Sequence, residues 1–223
     1  MYGEKDASLA PKVVILVSEC LLIALSYAVL FGDLFASFRA FGKSPSPARN
    51  GTLFAFNVVV FARFLFTLFV FLRRKIPWEE AISVPMAFAL YLLGFPLLAR
   101  GAASDFGRLG LVGILLFASG SFINTFSEYQ RHRFKARPEG KGKLYTSGLF
   151  SLSMHVNYFG DLLWVTGYAC VTHNVYASLV PAFLFIFFYA FNIPKLDAYL
   201  KQRYPAQFTS YASKTKRFIP FVL

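Results

Sequence analysis

The sequence predicts an all-α fold, a multi-pass bundle of about six transmembrane helices followed by an amphipathic C-terminal segment in the cytosol. Of 223 residues, 57% are hydrophobic and 15% are charged, whereas a soluble domain carries about 25% charged residues. Apolar runs near the roughly 20 residues needed to cross a bilayer recur along the chain. The formal net charge of +12 fits the excess of cations on the cytosolic side of membrane proteins, so we expect a lipid bilayer and no nucleic acid as partner.

Six apolar segments are predicted to span, at 13–32, 52–72, 81–99, 109–126, 158–171 and 175–193. The third contains Pro85 and Pro96, which predict kinks. The fifth is short, so we expect residues 150–157 to form an irregular, partly buried entry to it. The first run is long enough to span and shows no clear cleavage site, so we expect no cleavable signal peptide.

The distribution of Lys and Arg predicts the orientation. Seventeen fall in the N-terminus, the loops at 73–75 and 131–143, and the C-terminal tail. Five are assigned to the opposite loops: Arg39, Lys43, Arg49, Arg100 and Arg108. Both termini should therefore lie in the cytosol, with the protein in the endoplasmic reticulum of a eukaryote or the inner membrane of a bacterium. The oligomeric state does not follow from the sequence.

A pair of polar residues at the start of the fifth segment is the first candidate site. Asn157 and Asp161 are four residues apart, so on a helix they share one face. An amide and a carboxylate facing one cavity suit recognition of hydroxyl and amide groups, such as a ribose or a carboxamide. The alternative is helix capping, with Asn157 as N-cap and Asp161 in the first turn.

Two clusters of polar and charged residues precede this pair in the sequence. The loop at 131–143 carries six cations that suit phosphate groups, although attraction to anionic lipid is the alternative. Asn124, Ser127 and Glu128 lie at the end of the fourth segment, where Asn124 and Glu128 share a helix face. We expect Glu128 to be ion-paired, either as a structural clasp for the loop or in contact with a cofactor.

Ionisable groups inside the spans form another candidate site, because such groups are costly in a bilayer. A Glu19–Arg63 pair would relieve both charges, and either residue could polarise a substrate; packing alone is the alternative. Asn57 is a further intramembrane polar residue. His155 is expected to be a hydrogen-bonded structural residue. No set of His, Cys, Asp and Glu has the spacing of a metal site, so we expect no metal.

The tail from Pro194 onward is predicted to be one amphipathic helix. Apolar and aromatic residues recur at helical spacing at Leu196, Tyr199, Leu200, Tyr204 and Phe208. This helix would lie on the membrane surface or fold over the mouth of a pocket.

From Asn124 to Leu223 the chain resembles the steroid 5-alpha-reductase-like membrane proteins, in their uncharacterised steroid-reductase-type branch. The resemblance is carried by Ser-Glu-Tyr-Gln-Arg at 127–131, Gly-Leu-Phe at 148–150, His-Val-Asn-Tyr-Phe-Gly-Asp at 155–161, Asp-Ala-Tyr-Leu at 197–200 and the tail through Ile219-Pro220. The chain departs from the family pattern Arg-His-Pro-Asn-Tyr at two positions, where it has Met154 and Val156. It also has Glu128 where Asp is usual.

The resemblance implies a cytosol-facing NADPH site in residues 124–223 and a lipid-substrate region in residues 1–123 of one membrane domain. It also relates the chain to the isoprenylcysteine methyltransferase superfamily, which uses S-adenosylmethionine. The residues expected to line the cofactor site are Asn124, Glu128, Arg131, Lys135, Lys143, Tyr145, His155, Asn157, Tyr158, Asp161, Asp197, Arg203, Tyr204 and Tyr211.

The leading hypothesis is therefore an NADPH-dependent reductase of a carbon–carbon double bond in a steroid, sterol or other hydrophobic lipid. Glu19 and Arg63 are the candidates for supplying the proton or polarising a carbonyl. Six cations in the loop favour NADPH, which has three phosphates. An S-adenosylmethionine-dependent lipid or isoprenylcysteine methyltransferase is the first alternative, and a lipid-binding protein that lost catalysis is the second.

Overall fold

A computed structural model describes residues 8–32, 46–72, 75–100, 102 and 106–223. The all-α class is confirmed, because these ranges are mostly helical and contain no β-strand. The α-helices are, in chain order, α1 (Leu9–Phe31), α2 (Pro47–Phe66), α3 (Trp78–Ala89), α4 (Phe95–Arg100), α5 (Gly107–Ala136), α6 (Val156–Thr172), α7 (Leu179–Phe187), α8 (Ile193–Arg203) and α9 (Pro205–Ala212).

Within the described ranges, five helical stretches are long and apolar enough to cross a membrane. They are Leu9–Phe31, Pro47–Phe71, Trp78–Arg100, Gly107–Ala136 and Val175–Arg203, and they cover five of the six predicted segments. The remaining segment, 158–171, lies in α6, whose 17 residues are at the short end of what crosses a bilayer. By length and composition the chain is a multi-pass membrane protein.

π-helical turns precede two of the prolines in these stretches. Leu90–Gly94 comes before Pro96, and Phe188–Asn192 comes before Pro194. A proline cannot donate to the carbonyl four residues earlier and clashes with it, so a locally widened helix accommodates it. A π-helical turn therefore accompanies Pro96, whereas Pro85 lies inside α3, and the predicted kinks stay a prediction.

The residues cluster into two compact units. One comprises Met1–Leu115 and Gly167–Ser178, and the other comprises Leu116–Thr166 and Leu179–Leu223. Two of the three boundaries fall within α5 and α6, and the third lies just before α7. The predicted division into a substrate region and a cofactor region at residue 123 stays a prediction.

A buried hydrogen-bond network lies in the first unit. The Asn57 amide donates to Ser26 Oγ at 2.5 Å and to the Leu92 carbonyl at 3.1 Å, and it accepts from the Tyr168 hydroxyl at 2.8 Å. Leu92 O is the carbonyl that Pro96 leaves without its usual helical donor. Asn57 therefore replaces a backbone hydrogen bond that the proline removed, which is a structural role.

Two cations that the sequence analysis placed in loops are buried in helices instead. Arg49 is in the first turn of α2 and donates to the Ala102 carbonyl at 3.3 Å. Arg100 ends α4 and donates to the Val29 carbonyl near the end of α1. The loop assignment was wrong because a long arginine side chain next to an apolar run can fold back onto backbone carbonyls. For Arg100 these lie at the end of α1, where the helix dipole favours a cation.

The tail differs from the single helix that was predicted. Helix α8 ends at Arg203 and α9 begins at Pro205, with Tyr204 between them in a non-helical conformation (φ −136°, ψ 59°). A residue before proline is disfavoured in the α region, whereas proline itself is well tolerated in the first turn of a helix. Pro205 therefore divides the predicted helix in two.

Candidate functional site

Helices α5 and α6 approach closely in the second unit because glycines face each other. A Cβ on Gly120 would lie 2.4 Å from the Trp164 backbone nitrogen and 2.5 Å from the Gly160 carbonyl oxygen. A Cβ on Gly160 would lie 2.6 Å from the Asn124 backbone nitrogen. Real Cβ atoms do not come this close to a backbone, so only glycine fits at both positions. This contact brings the polar ends of the two helices together.

The polar cluster consists of Asn124, Glu128 and Arg131 of α5 and Asn157 of α6. Asn124 Nδ2 donates to the Asn157 carbonyl at 3.2 Å, and Asn157 Nδ2 donates to Glu128 Oε1 at 2.9 Å. Arg131 donates to the other Glu128 oxygen. The Ser127 hydroxyl donates to the Asn124 carbonyl of its own helix at 2.9 Å. The prediction that Glu128 is ion-paired is confirmed.

The alternative that Asn157 and Asp161 cap the helix is wrong. Helix α6 begins at Val156, so Asn157 is already inside the helix and its amide is engaged by Glu128. Asp161 lies one turn further on, beyond the first turn, where its Oδ1 accepts from Trp164 Nε1 at 2.8 Å. Neither side chain therefore caps the helix, and recognition of a ligand stays the prediction for both.

A second group, the Tyr204 cluster, contains Lys135, Arg203 and Tyr204. Lys135 Nζ donates to the Lys143 carbonyl and to the Tyr204 hydroxyl, and it lies 4.9 Å from the centre of the Tyr204 ring. Arg203 Nε also donates to that hydroxyl at 3.3 Å. Burial opposes ionisation of Tyr204, but the hydrogen bonds from Arg203 and Lys135 outweigh it and lower the pKa of the phenol. The cluster concentrates positive charge around one aromatic ring.

His155 is fully buried and takes part in a chain of polar contacts. Its Nε2 lies 2.8 Å from Asp197 Oδ1 in α8, and Arg217 Nε of the tail donates to Asp197 Oδ2 at 2.7 Å. The imidazole lies parallel to the Tyr158 ring, and the Tyr158 ring stacks on Phe188 with ring centres 4.6 Å apart. The expectation of a hydrogen-bonded histidine is confirmed, and the hydrogen bond is to another predicted site residue.

The C-terminal tail packs against the segment that leads into α6. The Met154 and His155 amides donate to the carbonyls of Lys216 and Arg217 at 2.8 and 3.1 Å. Ser153 Oγ donates to the Phe218 carbonyl at 2.6 Å. This segment therefore has a backbone partner that lies more than 60 residues away in sequence.

Tyr145 and Tyr211 support this packing. The Tyr211 hydroxyl donates to the Phe150 carbonyl, and the Tyr145 ring contacts Phe134 and Phe150 with centres 5.0 and 5.8 Å apart. Burial raises the pKa of both phenols, so they act as neutral groups. Both were predicted to bind a cofactor, and their contacts here are with the protein.

Two cavities lie beside the tail. One of about 520 Å³ has a largely polar lining of Leu144, Thr146, Ala206, Gln207, Ser210, Tyr211, Lys214 and Thr215. The other, of about 270 Å³, is lined by Met154, Asp197, Ala198, Lys201, Phe208, Ala212, Thr215 and Arg217. Asp197 and Arg217 thus face open space as well as each other.

The predicted Glu19–Arg63 pair does not form. Glu19 is fully buried in α1, and neither of its carboxyl oxygens has a hydrogen-bond partner among the residues that the structure describes. Arg63 is half-buried in α2. The pair was inferred from opposite charge alone, and helical periodicity in separate spans does not determine which residues face each other.

The chemistry of the site follows from its donors and acceptors. Within the described ranges no group of three or more His, Cys, Asp or Glu could hold a metal ion. The side chains that converge are amides, cations, carboxylates and aromatic rings, which suit a polar organic cofactor with charged groups.

Several contributing residues were missed. Gln130 Oε1 accepts from the Leu149 amide at 3.0 Å beneath Gly148, whose φ of +62° favours glycine. Gln207 Oε1 accepts from the Leu144 amide at 2.8 Å. Arg217 contacts Asp197 from 20 residues away. The sequence offered one signal for the helix packing around the site. It is the seven-residue spacing of Gly113 and Gly120, which Gly160 and Gly167 repeat.

The chain is similar to proteins of two kinds, methyltransferases and a steroid dehydrogenase. It is 35% identical over 92 residues to a probable O-methyltransferase of Ustilaginoidea virens, covering 41% of this chain and 32% of that protein. It is 33% identical over 91 residues to protein-S-isoprenylcysteine O-methyltransferase B of Arabidopsis thaliana, covering 41% and 46%. It is 30% identical over 110 residues to 3-oxo-5-alpha-steroid 4-dehydrogenase 2 of Rattus norvegicus, covering 49% and 41%.

The chain thus spans less than half the length of each of these three relatives. The family profile described as "Protein of unknown function (DUF1295)" matches residues 57–215, which include the polar cluster, His155 and the Tyr204 cluster. The resemblance inferred from the sequence is confirmed: the chain belongs to the DUF1295 family, which includes steroid 5-alpha-reductase-like proteins.

Proposed function

We propose that this protein is a membrane oxidoreductase that reduces a carbon–carbon double bond of a steroid, sterol or other lipid with NADPH. The observation that carries the proposal is the polar cluster, where two amides, one carboxylate and one guanidinium converge between α5 and α6. A basic loop and the Tyr204 cluster follow it in the second unit. The relative named as a 3-oxo-5-alpha-steroid 4-dehydrogenase supports the reaction class.

The donor set fits a phosphorylated dinucleotide. Lys135 now donates to two neutral oxygens, and a phosphate would be a stronger, charge-assisted acceptor for the same ammonium group. Arg131 uses one side of its guanidinium for Glu128, which leaves further N–H donors because arginine has five. Asn157 and Asn124 would orient the amide and ribose groups, and Lys143 would add a further cation. NADPH, when bound, supplies the hydride.

The proton that reduction also requires is assigned to Glu19. A buried carboxyl group without a cation or hydrogen-bond donor beside it is kept neutral by the cost of desolvating a charge. Such a group can donate a hydrogen bond to a carbonyl oxygen or a proton to carbon. Arg63 is the second candidate for polarising the substrate.

A methyltransferase using S-adenosylmethionine is the second candidate function. Glu128 in the polar cluster and Asp197 beside His155 are carboxylates, and carboxylates suit the ammonium and sulfonium groups of S-adenosylmethionine better than the phosphates of NADPH. Two of the relatives described above are named as O-methyltransferases. Cofactor binding separates the two candidates.

The test is thermal unfolding of the detergent-purified protein with NADPH, NADH or S-adenosylmethionine. A ligand at 100 times its Kd stabilises the folded state by about 2.7 kcal/mol. We expect NADPH to stabilise the wild type, NADH to do so less, and Asn157→Ala to lose the effect. Glu139→Gln, an exposed change in the same basic loop, is the matched control and should keep it.

Stabilisation by S-adenosylmethionine alone would assign the protein to the methyltransferases. A folded protein that responds to none of the three ligands would favour the lipid-binding alternative. With NADPH binding established, Glu19→Gln should bind NADPH as the wild type does but reduce an enone lipid about 100-fold more slowly, since general acid catalysis contributes about that much. Cys20→Ser, at the exposed neighbouring position, should retain the rate.

A further inference from the structure

His155, Asp197 and Arg217 form a linear chain of contacts across three parts of the second unit. His155 precedes α6, Asp197 lies in α8, and Arg217 lies near the C-terminal end of the tail. The two oxygens of Asp197 are divided between them, Oδ1 toward His155 and Oδ2 toward Arg217. The carboxylate is therefore held from both sides and cannot rotate without breaking one contact.

Burial increases along this chain toward His155. The side chain of Arg217 is 41% exposed, that of Asp197 is 16% exposed and that of His155 is 1% exposed. Lys201 lines the 270 Å³ cavity together with Asp197 and Arg217, and Tyr158 stacks on the imidazole. Lys201 of α8 and Tyr158 of α6 are thus further titratable groups near this chain of contacts.

We infer that Arg217 and Asp197 are positioning residues that hold the His155 imidazole in one orientation and one hydrogen-bonding state. The nitrogen of an imidazole that carries the proton is set by the hydrogen bond that the ring makes. A carboxylate on Nε2 selects the form with hydrogen on Nε2 and leaves Nδ1 as an acceptor. Arg217 keeps the carboxylate at that nitrogen and away from Lys201.

Other contacts hold the tail in place without the Arg217 side chain. The backbone of the tail is joined to residues 153–155 by four hydrogen bonds that do not involve this side chain. Phe218 is fully buried and stacks near Phe185 with ring centres 5.7 Å apart. Losing the guanidinium should therefore leave the tail in place and act on Asp197.

Through His155 this chain of contacts reaches the candidate cofactor site. Tyr158 stacks on the imidazole, and Asn157 is two residues away at the start of α6. Positioning of the imidazole would therefore position both of them. Only this last step rests on the proposed function, because the hydrogen bonding of the His155 imidazole can be observed without any cofactor.

The test is nuclear magnetic resonance of the protein labelled with ¹⁵N-histidine, comparing Arg217→Met with Lys216→Met. Both changes remove one cation from the tail, but the Lys216 side chain is exposed and only its carbonyl takes part in the packing. His155→Gln assigns the signal among the three histidines. We expect a downfield, slowly exchanging Nε2 proton in the wild type and in Lys216→Met.

In Arg217→Met the exchange of that proton should be about tenfold faster, because Asp197 loses the charge-assisted hydrogen bond from Arg217 that holds it in place. Arg217→Lys should restore slow exchange, and Asp197→Asn should move the proton upfield. Equal exchange in Arg217→Met and Lys216→Met would overturn the inference. If Arg217→Met does not fold, Arg217→Gln, which keeps a donor but drops the charge, takes its place under the same criteria.

The cofactor measurement is read separately. NADPH or S-adenosylmethionine, whichever binds the wild type, should bind Arg217→Met about tenfold more weakly. Wild-type binding of neither ligand would contradict the proposed function, and the exchange of the His155 proton would still support or overturn the positioning role. Normal binding in a variant with altered exchange would limit the role of these residues to His155 itself and overturn the step to the cofactor site.

Discussion

Asn57 shows how one polar side chain in a span can be explained by its neighbours. Ionisable and polar groups inside a membrane are functional candidates by default, and the sequence offered no reason to treat Asn57 differently. Its three hydrogen bonds to Ser26, Leu92 and Tyr168 satisfy the amide and also the carbonyl freed by Pro96. All of the amide's contacts are with the protein, so we assign it to folding and leave Glu19 as the candidate for chemistry in the first unit.

Replacing Tyr168 by Phe should destabilise the protein by about 1–2 kcal/mol. The ring would keep its stacking on Phe95, 5.0 Å away, but Asn57 Oδ1 would lose its donor in a fully buried site. The measurement is the free energy of unfolding in mixed micelles titrated with a denaturing detergent. Tyr189→Phe is the control, because Tyr189 is 41% exposed, and it should change stability little. Equal stability of the two variants would mean that the hydroxyl is not part of the network.

At the scale of elements, the glycines of α5 and α6 determine where the site can form. In the first unit a Cβ on Gly113 would lie 2.7 Å from the Gly167 carbonyl, and in the second Gly120 and Gly160 are in similar contact. Close approach through small residues is common where membrane helices pack. The polar cluster needs it, because the Asn124 amide reaches the Asn157 carbonyl only if the two backbones nearly touch.

Gly120→Ala should destabilise the protein by about 1–3 kcal/mol, the usual cost of overpacking, and should also abolish cofactor stabilisation. Gly51→Ala is the matched control, since a Cβ there has no neighbour within 4 Å and alanine is better than glycine in a helix by about 0.5–1 kcal/mol. It should therefore stabilise the protein slightly. Thermal unfolding with and without cofactor measures both variants. A neutral Gly120→Ala change would show that α5 and α6 are not in close contact.

At the scale of the whole molecule, charge and hydropathy together predict how the chain lies in a membrane. In the described part of the chain five stretches are long and apolar enough to span, and the cations cluster at 131–143 and in the tail. The predicted loop at 131–143 is wrong for its first part, because α5 continues through Ala136. Arg49 and Arg100, two of the five cations assigned to the opposite loops, are buried in helices, and Arg108 lies in α5. The other two, Arg39 and Lys43, lie outside the described residues, and a cytosolic basic segment stays a prediction.

Cysteine labelling tests this orientation. With Cys20 and Cys170 replaced by Ala, Lys141→Cys in the basic loop and Tyr176→Cys in the turn before α7 place single thiols at two exposed positions. In sealed cells an impermeant thiol reagent should modify Tyr176→Cys and spare Lys141→Cys until the membrane is permeabilised. The opposite pattern would reverse the predicted orientation. Modification of both in intact cells would contradict the six-span topology.

The sequence by itself determined the all-helical class, the apolar stretches and the family, because these depend on composition, run length and short motifs. It also identified the four residues of the polar cluster, and the pairs Asn124 with Glu128 and Asn157 with Asp161 are each one turn apart on a single helix. Such relations are local, so periodicity is enough to find them. The end of α8 before Pro205 could have been predicted in the same way, from the restriction that proline places on the preceding residue.

Only the tertiary structure decided which residues from distant parts of the chain meet. Arg217 and His155 bind opposite oxygens of Asp197, and Glu19 forms no hydrogen bond with Arg63 although their charges are opposite. Helical periodicity states which side chains share a face, but it does not state which faces of different helices are opposed. That choice comes from packing, here from glycines that admit a neighbouring backbone and from carbonyls and amides that must be paired once they are buried.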